Sequence, residues 1–250
     1  MTPPYDMLCL ETAVKRHESA DHAFELRVPE LRLRAGAVCV VAGKSGCGKT
    51  TLLDALGCIS PWQSCGRHYF APDEHTGVDV ARIPNRMRAE MRRRCIGYVL
   101  QQGGLLPLLT AWENILLALR FSGRTDRQNY ARALAEQLGV AEELHKRPEA
   151  LSIGQRQRIS IVRALAPCPA LLLADEPTGA LDPVSAADVR PLLLEAARKQ
   201  GSAVVIVTHD VELFANDADV NMGFTIERRG KLTVSTLHEQ YNDSGKEVLL

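Results

Sequence analysis

The sequence predicts an α/β protein built on a mostly parallel sheet, and two observations carry this prediction. Near-continuous apolar runs, typical of strands buried on both faces, occur in "AVCVVAG", "ALLLADEP" and "AVVIVTHD". Stretches with helical periodicity separate these runs along the chain. The 250 residues, 46% hydrophobic and 24% charged, have the composition of a globular protein and suffice for one large domain or two small ones.

The order of the elements indicates where the parallel sheet is extended and where it is interrupted. Period-two alternation in "MLCLETAV" and "AFELRVPELRLR" predicts short strands within residues 6–40. Prolines and glycines break residues 61–82 into loops or short strands, and "RMRAEMRRR" has a helical pattern. From Pro107 to about Ala166 the pattern is mostly helical, which indicates an inserted helical subdomain.

The last third of the chain returns to alternating helix and strand. "PVSAADVRPLLLEAARKQ" predicts a helix with Pro183 in its first turn, where the missing N–H does no harm. Pro191 follows more than a full turn later, removes a bond to the Ala187 carbonyl and clashes with it, at a cost of about 3 kcal/mol. We expect it to kink or split the helix. "GFTIERRGKLTVS" predicts a hairpin that turns at Gly230.

Charge, cysteines and hydropathy exclude several classes of function. Thirty basic and thirty acidic side chains cancel, so the chain lacks the basic field of a protein that wraps nucleic acid. The seven cysteines have no C-x-x-C spacing and mostly lie in apolar runs, which predicts reduced cytosolic thiols. The chain shows no secretory signal and no run of 18 apolar residues, so membrane contact is expected only through a partner.

A phosphate-binding motif follows the first buried strand. "GKSGCGKT" fits G-x-x-x-x-G-K-[ST] between a predicted strand and a predicted helix, the context that separates it from an ordinary glycine-rich turn. Backbone N–H groups and the helix N-terminus would bind phosphates, Lys49 would reach the β- and γ-phosphates, and Thr50 would ligate Mg²⁺. The candidate nucleotide-binding residues here are Gly43, Ser45, Gly46, Cys47, Gly48, Lys49, Thr50 and Thr51.

Cys47 lies within this loop, beside Lys49 and before a helix N-terminus. Both neighbours favour the thiolate, so we expect a lowered pKa for Cys47 and alkylation that bound nucleotide prevents. The alternative is that Cys47 is a small residue that fills space.

Two carboxylates end the second buried strand. Asp175 and Glu176 follow "LLLA", and the carboxyl end of a parallel strand faces the ligand crevice. Asp175 can hold Mg²⁺, and Glu176 can orient or deprotonate an attacking water. The motif is weak by itself, because two acids after an apolar run are more often part of a solvated loop.

"LSIGQRQRISIVRAL" supplies a second helix N-terminus with anion-binding potential. Ser152 and Gln155 have the spacing of a capping box before an apolar helix. Alone, this pattern is more typical of a well-capped structural helix than of a ligand site.

Taken together, five motifs resemble those of the ATPase subunits of ABC transporters. They are "GKSGCGKT", "GYVLQQ" with Gln101, "LSIGQ", "LLLADEPTGALD" and "VIVTHD" with His209, in the order of that family. The resemblance covers about residues 8–235. It implies one domain with a P-loop NTPase core and an N-terminal antiparallel β subdomain (about 6–101 and 167–237), an α-helical subdomain (about 102–166) and a tail (238–250).

The resemblance also implies a mechanism that uses ATP and Mg²⁺. Two copies would form a head-to-tail homodimer, with each ATP between the phosphate loop of one copy and Ser152, Gly154 and Gln155 of the other. Glu176 is similar to the catalytic base and His209 to the residue that holds the γ-phosphate and the water. Gln101 is similar to a sensor of Mg²⁺ and water, and Asp182 to the loop that crosses the dimer interface.

Two positions depart from the family pattern. Ile153 replaces the first glycine of LSGGQ, whereas Gly154 keeps the second. In the family a tyrosine often stacks on adenine near "VKRH", where this chain offers His17, with Phe24 as the rival ring.

Within the family, "LLPLLTAWENI" and "ADEPTGALD" look most like the lipoprotein-releasing and macrolide-exporter group. The implied partner is an integral membrane permease, with the chain peripheral on the cytoplasmic face of a bacterial inner membrane. The apolar stretch Leu105–Leu119 would receive the permease, although half of its leucines are expected in the core. The rival function is an ATP-gated clamp or signalling module that uses the same dimer. Arginines between Arg82 and Arg94 favour a solvated helix face over contact with lipid headgroups.

Overall fold

One sheet of ten strands organises the computed structural model, which describes residues 5–19, 22–101, 103–179, 181–214 and 216–240. Residues 241–250 of the expected tail lie outside the described residues. The strands are β1 Asp6–Glu18, β2 Ala23–Arg34, β3 Val38–Ala42, β4 Arg67–Phe70, β5 Val78–Asp79, β6 Ile96–Val99, β7 Leu171–Asp175, β8 Ala203–Thr208, β9 Val220–Arg229 and β10 Leu232–Glu239. Their order across the sheet is β5-β4-β1-β2-β10-β9-β3-β8-β7-β6.

The half of the sheet that ends at β6 is parallel. β3 pairs in parallel with both β8 and β9, β7 pairs with β8, and β6 pairs with β7. Every residue of β7 and β8 is buried, because helices and the rest of the sheet cover both of their faces. The predicted α/β class with a mostly parallel core is confirmed.

The other half is antiparallel and continues the same sheet. β1 pairs with β2 and β4 in antiparallel register, and β4 pairs with β5. The predicted hairpin is confirmed as β9 and β10, with Gly230 at φ 63° in the turn. β10 joins the two halves, since its other edge pairs in parallel with β2.

The helices pack on both faces of the sheet and form two apolar cores. They are α1 Lys49–Leu56, α2 Asn85–Cys95, α3 Ala111–Ser122, α4 Gln128–Gln137, α5 Ile153–Leu165, α6 Pro183–Gln200 and α7 Val211–Phe214. Successive residues of β8 contribute to opposite cores: Val204 and Ile206 to one, Val205 and Val207 to the other. As expected, the mostly helical block lies between β6 and β7, where it holds α3, α4 and α5.

α6 runs unbroken through Pro191, so the expected split of this helix is wrong. Val189 before the proline and Leu193 after it are both buried in the same core, and this packing holds the two halves together. Pro191 and Ala187 lie on the exposed face, where water can reach the carbonyl that the proline leaves without its helical partner.

Most arginines of α2 form hydrogen bonds or ion pairs with other residues of the chain. Arg88 donates to the carbonyls of Val80 and Ala81, and Arg92 donates to the carbonyl of Cys58. Glu90 pairs with Arg93 and Arg94. The cluster therefore ties α2 to neighbouring loops.

Two further expectations concern the thiols and the membrane. The seven cysteines are all free, and four of them are buried. Among the described residues, no helix combines the length and the hydropathy that crossing a membrane requires.

Candidate functional site

The phosphate loop connects the carboxyl end of β3 to the N-terminus of α1. Gly46 and Gly48 have φ values of 81° and 104°, in the left-handed region where a side chain would be strained. Gly48 is the N-cap residue of α1, so no side-chain oxygen competes for the N–H groups of the first turn. These groups are placed to bind an anion.

Gly43 is required for a different reason, which is the lack of space beneath the loop. A Cβ at Gly43 would lie 2.4 Å from Sγ of Cys47 and 2.8 Å from the ring of Phe224. Ser235 Oγ on β10 donates to the Cys47 carbonyl at 2.6 Å. Strands β9 and β10 thus support the loop from below, a contribution that the local sequence does not indicate.

The same packing corrects the expectation for Cys47. Its side chain points into the protein and is only 1% exposed. Burial raises the pKa of the Cys47 thiol, and the nearby Lys49 ammonium only partly opposes this. The expected low-pKa, reagent-accessible thiol is wrong, and the space-filling alternative fits.

The carboxylates at the end of β7 lie directly beside this loop. Thr50 Oγ1 donates to Asp175 Oδ2 at 2.9 Å, and burial raises the pKa of the Asp175 carboxyl. Glu176 is 6% exposed and has φ 46°, a strained value for a residue with a side chain. The Val207 carbonyl, which accepts from Glu176 N at 2.9 Å, holds this turn against β8.

Glu176 is the centre of a cluster that brings three predicted residues together. Its Oε2 accepts from the backbone N of His209 at 3.2 Å and lies 2.8 Å from His209 Nδ1. Its Oε1 lies 3.5 Å from Lys49 Nζ, which also donates to the Gly43 carbonyl at 2.6 Å. Thr208 Oγ1 accepts from Asp210 N at 2.9 Å and shapes the turn that carries His209.

These groups border one open cavity of about 410 Å³. The lining residues are Phe24, Ser45, Gly46, Gly48, Lys49, Thr50, Thr51, Gln101, Asp175, Glu176 and His209. Polar groups line the cavity except at Phe24, whose ring also packs against the position of a Gly48 Cβ. Of the two rings considered for adenine, Phe24 lines the cavity, whereas His17 is exposed on the paired strand β1, opposite Phe24 in register.

The residues of the second anion site lie elsewhere. Among the described residues, none from α5 lines the cavity. The predicted capping box is confirmed: Ser152 Oγ accepts from Gln155 N at 3.2 Å, and Gln155 Oε1 accepts from Ser152 N at 2.8 Å. Ser152 and Ile153 are exposed, and the Cβ position of Gly154 lies 3.5 Å from Leu181. Asp182 caps α6 by accepting from Val184 N and Ser185 N.

The donor set beside the phosphate loop fits Mg²⁺. Thr50 and Asp175 offer hydroxyl and carboxylate oxygens, the ligands that this cation prefers, and the buried Asp175 carboxylate would gain from a cation. Among the described residues, no group of three or more His, Cys, Asp or Glu side chains is arranged to hold a metal. The cation would therefore need phosphate oxygens to complete its coordination.

Comparison with known proteins identifies relatives over most of the chain. The family model described as "ABC transporter" matches residues 26–179. The lipoprotein-releasing system ATP-binding protein LolD of Alcanivorax borkumensis is 40% identical over 205 residues, which are 81% of this chain and 87% of LolD. The pyoverdine export ATP-binding/permease protein PvdT of Pseudomonas aeruginosa is 39% identical over 218 residues, 86% of this chain.

Coverage differs among these relatives. The chain spans about a third of the ATP-binding/permease relatives that it matches, which include pyoverdine and macrolide export proteins. Among solved structures, the dimeric post-hydrolysis state of the ATP-binding cassette MJ0796 bound to ADP and Pi superposes with a TM-score of 0.73. It is 30% identical in sequence, and the match covers 87% of this chain and 94% of that one.

The fold, the cavity and these relatives agree with the five motifs and confirm the resemblance that they carry. The chain belongs to the ABC transporter family, as an ATP-binding, ATP-hydrolysing nucleotide-binding domain.

Proposed function

We propose that the chain is the motor subunit of an ABC transporter that hydrolyses MgATP between two copies arranged head to tail. The observation that carries this proposal is the division of the phosphate-binding groups between two places. The cavity holds the phosphate loop, Asp175, Glu176 and His209, whereas the exposed N-terminus of α5 lies outside it. A second copy would bring its own α5 to the open side of the cavity. The dimeric state described for MJ0796 supports this arrangement.

Within one copy, the cavity residues have distinct roles in binding. The N–H groups around Gly46 and Gly48 bind the phosphates, and Lys49 turns from the Gly43 carbonyl towards them. Thr50 and Asp175, with Gln101 at the rim, would hold Mg²⁺, which neutralises phosphate charge. Phe24, which lines the cavity, and His17 on the neighbouring strand are the candidates to stack on adenine.

In the chemical step, Glu176 accepts the proton of the attacking water. Its carboxylate is buried beside Lys49 and oriented by the backbone N of His209. The His209 ring, 2.8 Å from Glu176 Oε2, is placed to contact both the water and the γ-phosphate. The left-handed turn at Glu176 aims the carboxylate at the cavity, at a conformational cost of about 1–3 kcal/mol.

The membrane partner is proposed to be a permease of the lipoprotein-releasing or macrolide-exporter type, on the cytoplasmic face of the membrane. Support comes from the relative LolD, of which the chain covers 87%. The docking surface would lie before α3, where Leu106 and Leu108 are 46% and 81% exposed. Asn114 is buried and holds this loop by accepting from Leu106 N and donating to three carbonyls. Ile115 and Leu119 instead belong to the core, as expected for part of this stretch.

The Glu176→Gln variant tests the proposal. Removing the general base should slow ATP hydrolysis by about a hundredfold or more, while the phosphate loop still binds ATP. The variant should accumulate as a dimer with ATP and as a monomer with ADP, measured as mass by light scattering.

Lys49→Ala is the matched control, because it removes a phosphate contact from the same cluster and should weaken nucleotide binding itself. Normal turnover of Glu176→Gln would exclude Glu176 as the base. A slow variant that binds ATP yet never dimerises would refute the two-copy site.

A further inference from the structure

Glu143 contacts the α5 N-terminus, although it lies outside the five motifs. Its Oε1 accepts a hydrogen bond from Gln155 Nε2 at 3.0 Å. Its Oε2 pairs with Lys146 Nζ at 2.5 Å, and the Glu143 side chain is only 17% exposed. The largely buried Glu143 carboxylate therefore binds the side chain of Gln155, the second residue of the capping box.

This contact determines how the Gln155 amide is oriented. A carboxylate can only accept hydrogen bonds, so the NH₂ group of Gln155 must face Glu143. The carbonyl oxygen of the amide then faces Ser152 N, from which it accepts at 2.8 Å. In the flipped orientation, the NH₂ group would face the N–H of Ser152, a donor against a donor. The amide oxygen would face the Glu143 carboxylate, an acceptor against an acceptor, so this orientation is excluded.

The Ser152 hydroxyl is the other half of this capping box. Ser152 Oγ accepts from Gln155 N at 3.2 Å, so its own proton is free to point outward from the helix. Ser152 is exposed, and the N–H groups of the first turn of α5 surround it. This is the geometry of a donor set prepared for an external anion.

The segment that carries Glu143 is itself held by the start of α3. Ala111 N donates to the Lys146 carbonyl and Trp112 N donates to the Leu144 carbonyl, both at 2.8 Å. Lys146 also balances the charge of Glu143, which would otherwise repel a phosphate at the same helix end.

We propose that Glu143 is a positioning residue for the α5 N-terminus, acting through Gln155 to prepare Ser152 for the γ-phosphate bound to a second copy. This inference rests on the proposed two-copy site. It predicts that Glu143 affects dimer formation and leaves nucleotide binding by the single chain unchanged.

The experiment compares Glu143→Ala, Glu143→Gln and Glu142→Ala in the Glu176→Gln background. Glu143→Ala should weaken the ATP-dependent dimer by about tenfold or more, since the capping box that meets the γ-phosphate of the second copy is then no longer held in its binding orientation. Glu143→Gln keeps a carbonyl that can accept from Gln155 and should remain within about threefold of the parent. Glu142 is exposed, and its variant should match the parent.

Three further measurements separate positioning from a general loss of structure. The affinity of the single chain for a fluorescent ATP analogue should be the same in Glu143→Ala and the parent, and the melting temperature should fall by only about 2–4 °C, the effect of one lost intrachain hydrogen bond. With Glu176 restored, turnover of Glu143→Ala should need a higher protein concentration yet reach the parental kcat.

The inference is overturned if Glu143→Ala dimerises like the parent, if the glutamine variant is as defective as the alanine variant, or if the single chain loses nucleotide affinity. A Glu176→Gln parent that stays monomeric with ATP overturns the proposed function, and this inference with it.

Discussion

At the scale of single residues, burial is the largest influence on the pKa values of His68 and Cys47. His68 on β4 is 2% exposed, and burial lowers its pKa to about 4 from the ordinary 6.5. The folded protein therefore binds fewer protons than the unfolded chain between pH 6.5 and 4. Stability is complete above this window and falls as the pH decreases through it.

We predict that His68→Leu reduces this acid sensitivity. Between pH 7 and pH 5, the free energy of unfolding of the parent should fall by about 2 kcal/mol more than that of the variant, as the pKa shift requires. Urea unfolding at both pH values measures the difference. Equal losses in the two proteins would show that His68 is not buried in its neutral form. His75 is exposed, and His75→Leu should behave like the parent.

Cys47 illustrates the same rule where the sequence is misleading. The sequence places its thiol next to Lys49 and a helix N-terminus, both of which favour the thiolate. It does not indicate that Phe224 and Ser235 on distant strands close over the far side of the loop. Burial outweighs both of these influences, so the pKa of the Cys47 thiol rises.

At the scale of elements, whether a helix continues through a proline depends on its tertiary packing as well as on its local sequence. α6 continues past Pro191 because the buried residues on both sides of the proline belong to one core. The lost hydrogen bond should still cost stability.

We predict that Pro191→Ala raises the free energy of unfolding by about 1–2 kcal/mol, since the restored bond and better helix propensity exceed the added chain entropy of the unfolded state. Urea midpoints measure this change. Ala187→Gly, on the same exposed face, should lower stability by about 1 kcal/mol as the opposite control. A neutral or destabilising Pro191→Ala would mean that α6 is strained in a way that suits proline.

The elements with the strongest periodicity are those that the sequence predicts best. The buried strands β3, β7 and β8, the capping box of α5 and the hairpin at Gly230 all follow from local patterns. The parallel pairing of β10 with β2 cannot be predicted in this way, because it joins residues about 210 positions apart and no local pattern in either strand identifies the other. For the same reason Glu143 could not be connected to Gln155 from the sequence, as only the fold of the intervening turn brings them together.

At the scale of the whole molecule, the loop before α3 exposes the apolar side chains of Leu106 and Leu108 and is held in place by the buried Asn114. We predict that Leu108→Glu leaves the melting temperature, ATP affinity and ATP-dependent dimer of the isolated chain unchanged, because Leu108 is 81% exposed. In the native host, the variant should sediment with washed membranes far less than the parent, since a charge opposes burial against a permease. Val184→Glu, at another exposed apolar position, is the control for added charge. Equal sedimentation of Leu108→Glu and the parent would place the docking surface elsewhere.

The support of the phosphate loop by Ser235 has a consequence for biosynthesis. The bond from Ser235 to the Cys47 carbonyl spans 188 residues, so the phosphate loop leaves the ribosome long before the strand that supports it from below. At the usual rates of elongation the delay is about 10–40 s. During that interval the nascent chain exposes an unsupported glycine-rich loop and the unpaired edges of β2 and β3. ATP can therefore stabilise this fold only after β10 has been synthesised, and until then β2 and β3 lack the strands that close the sheet.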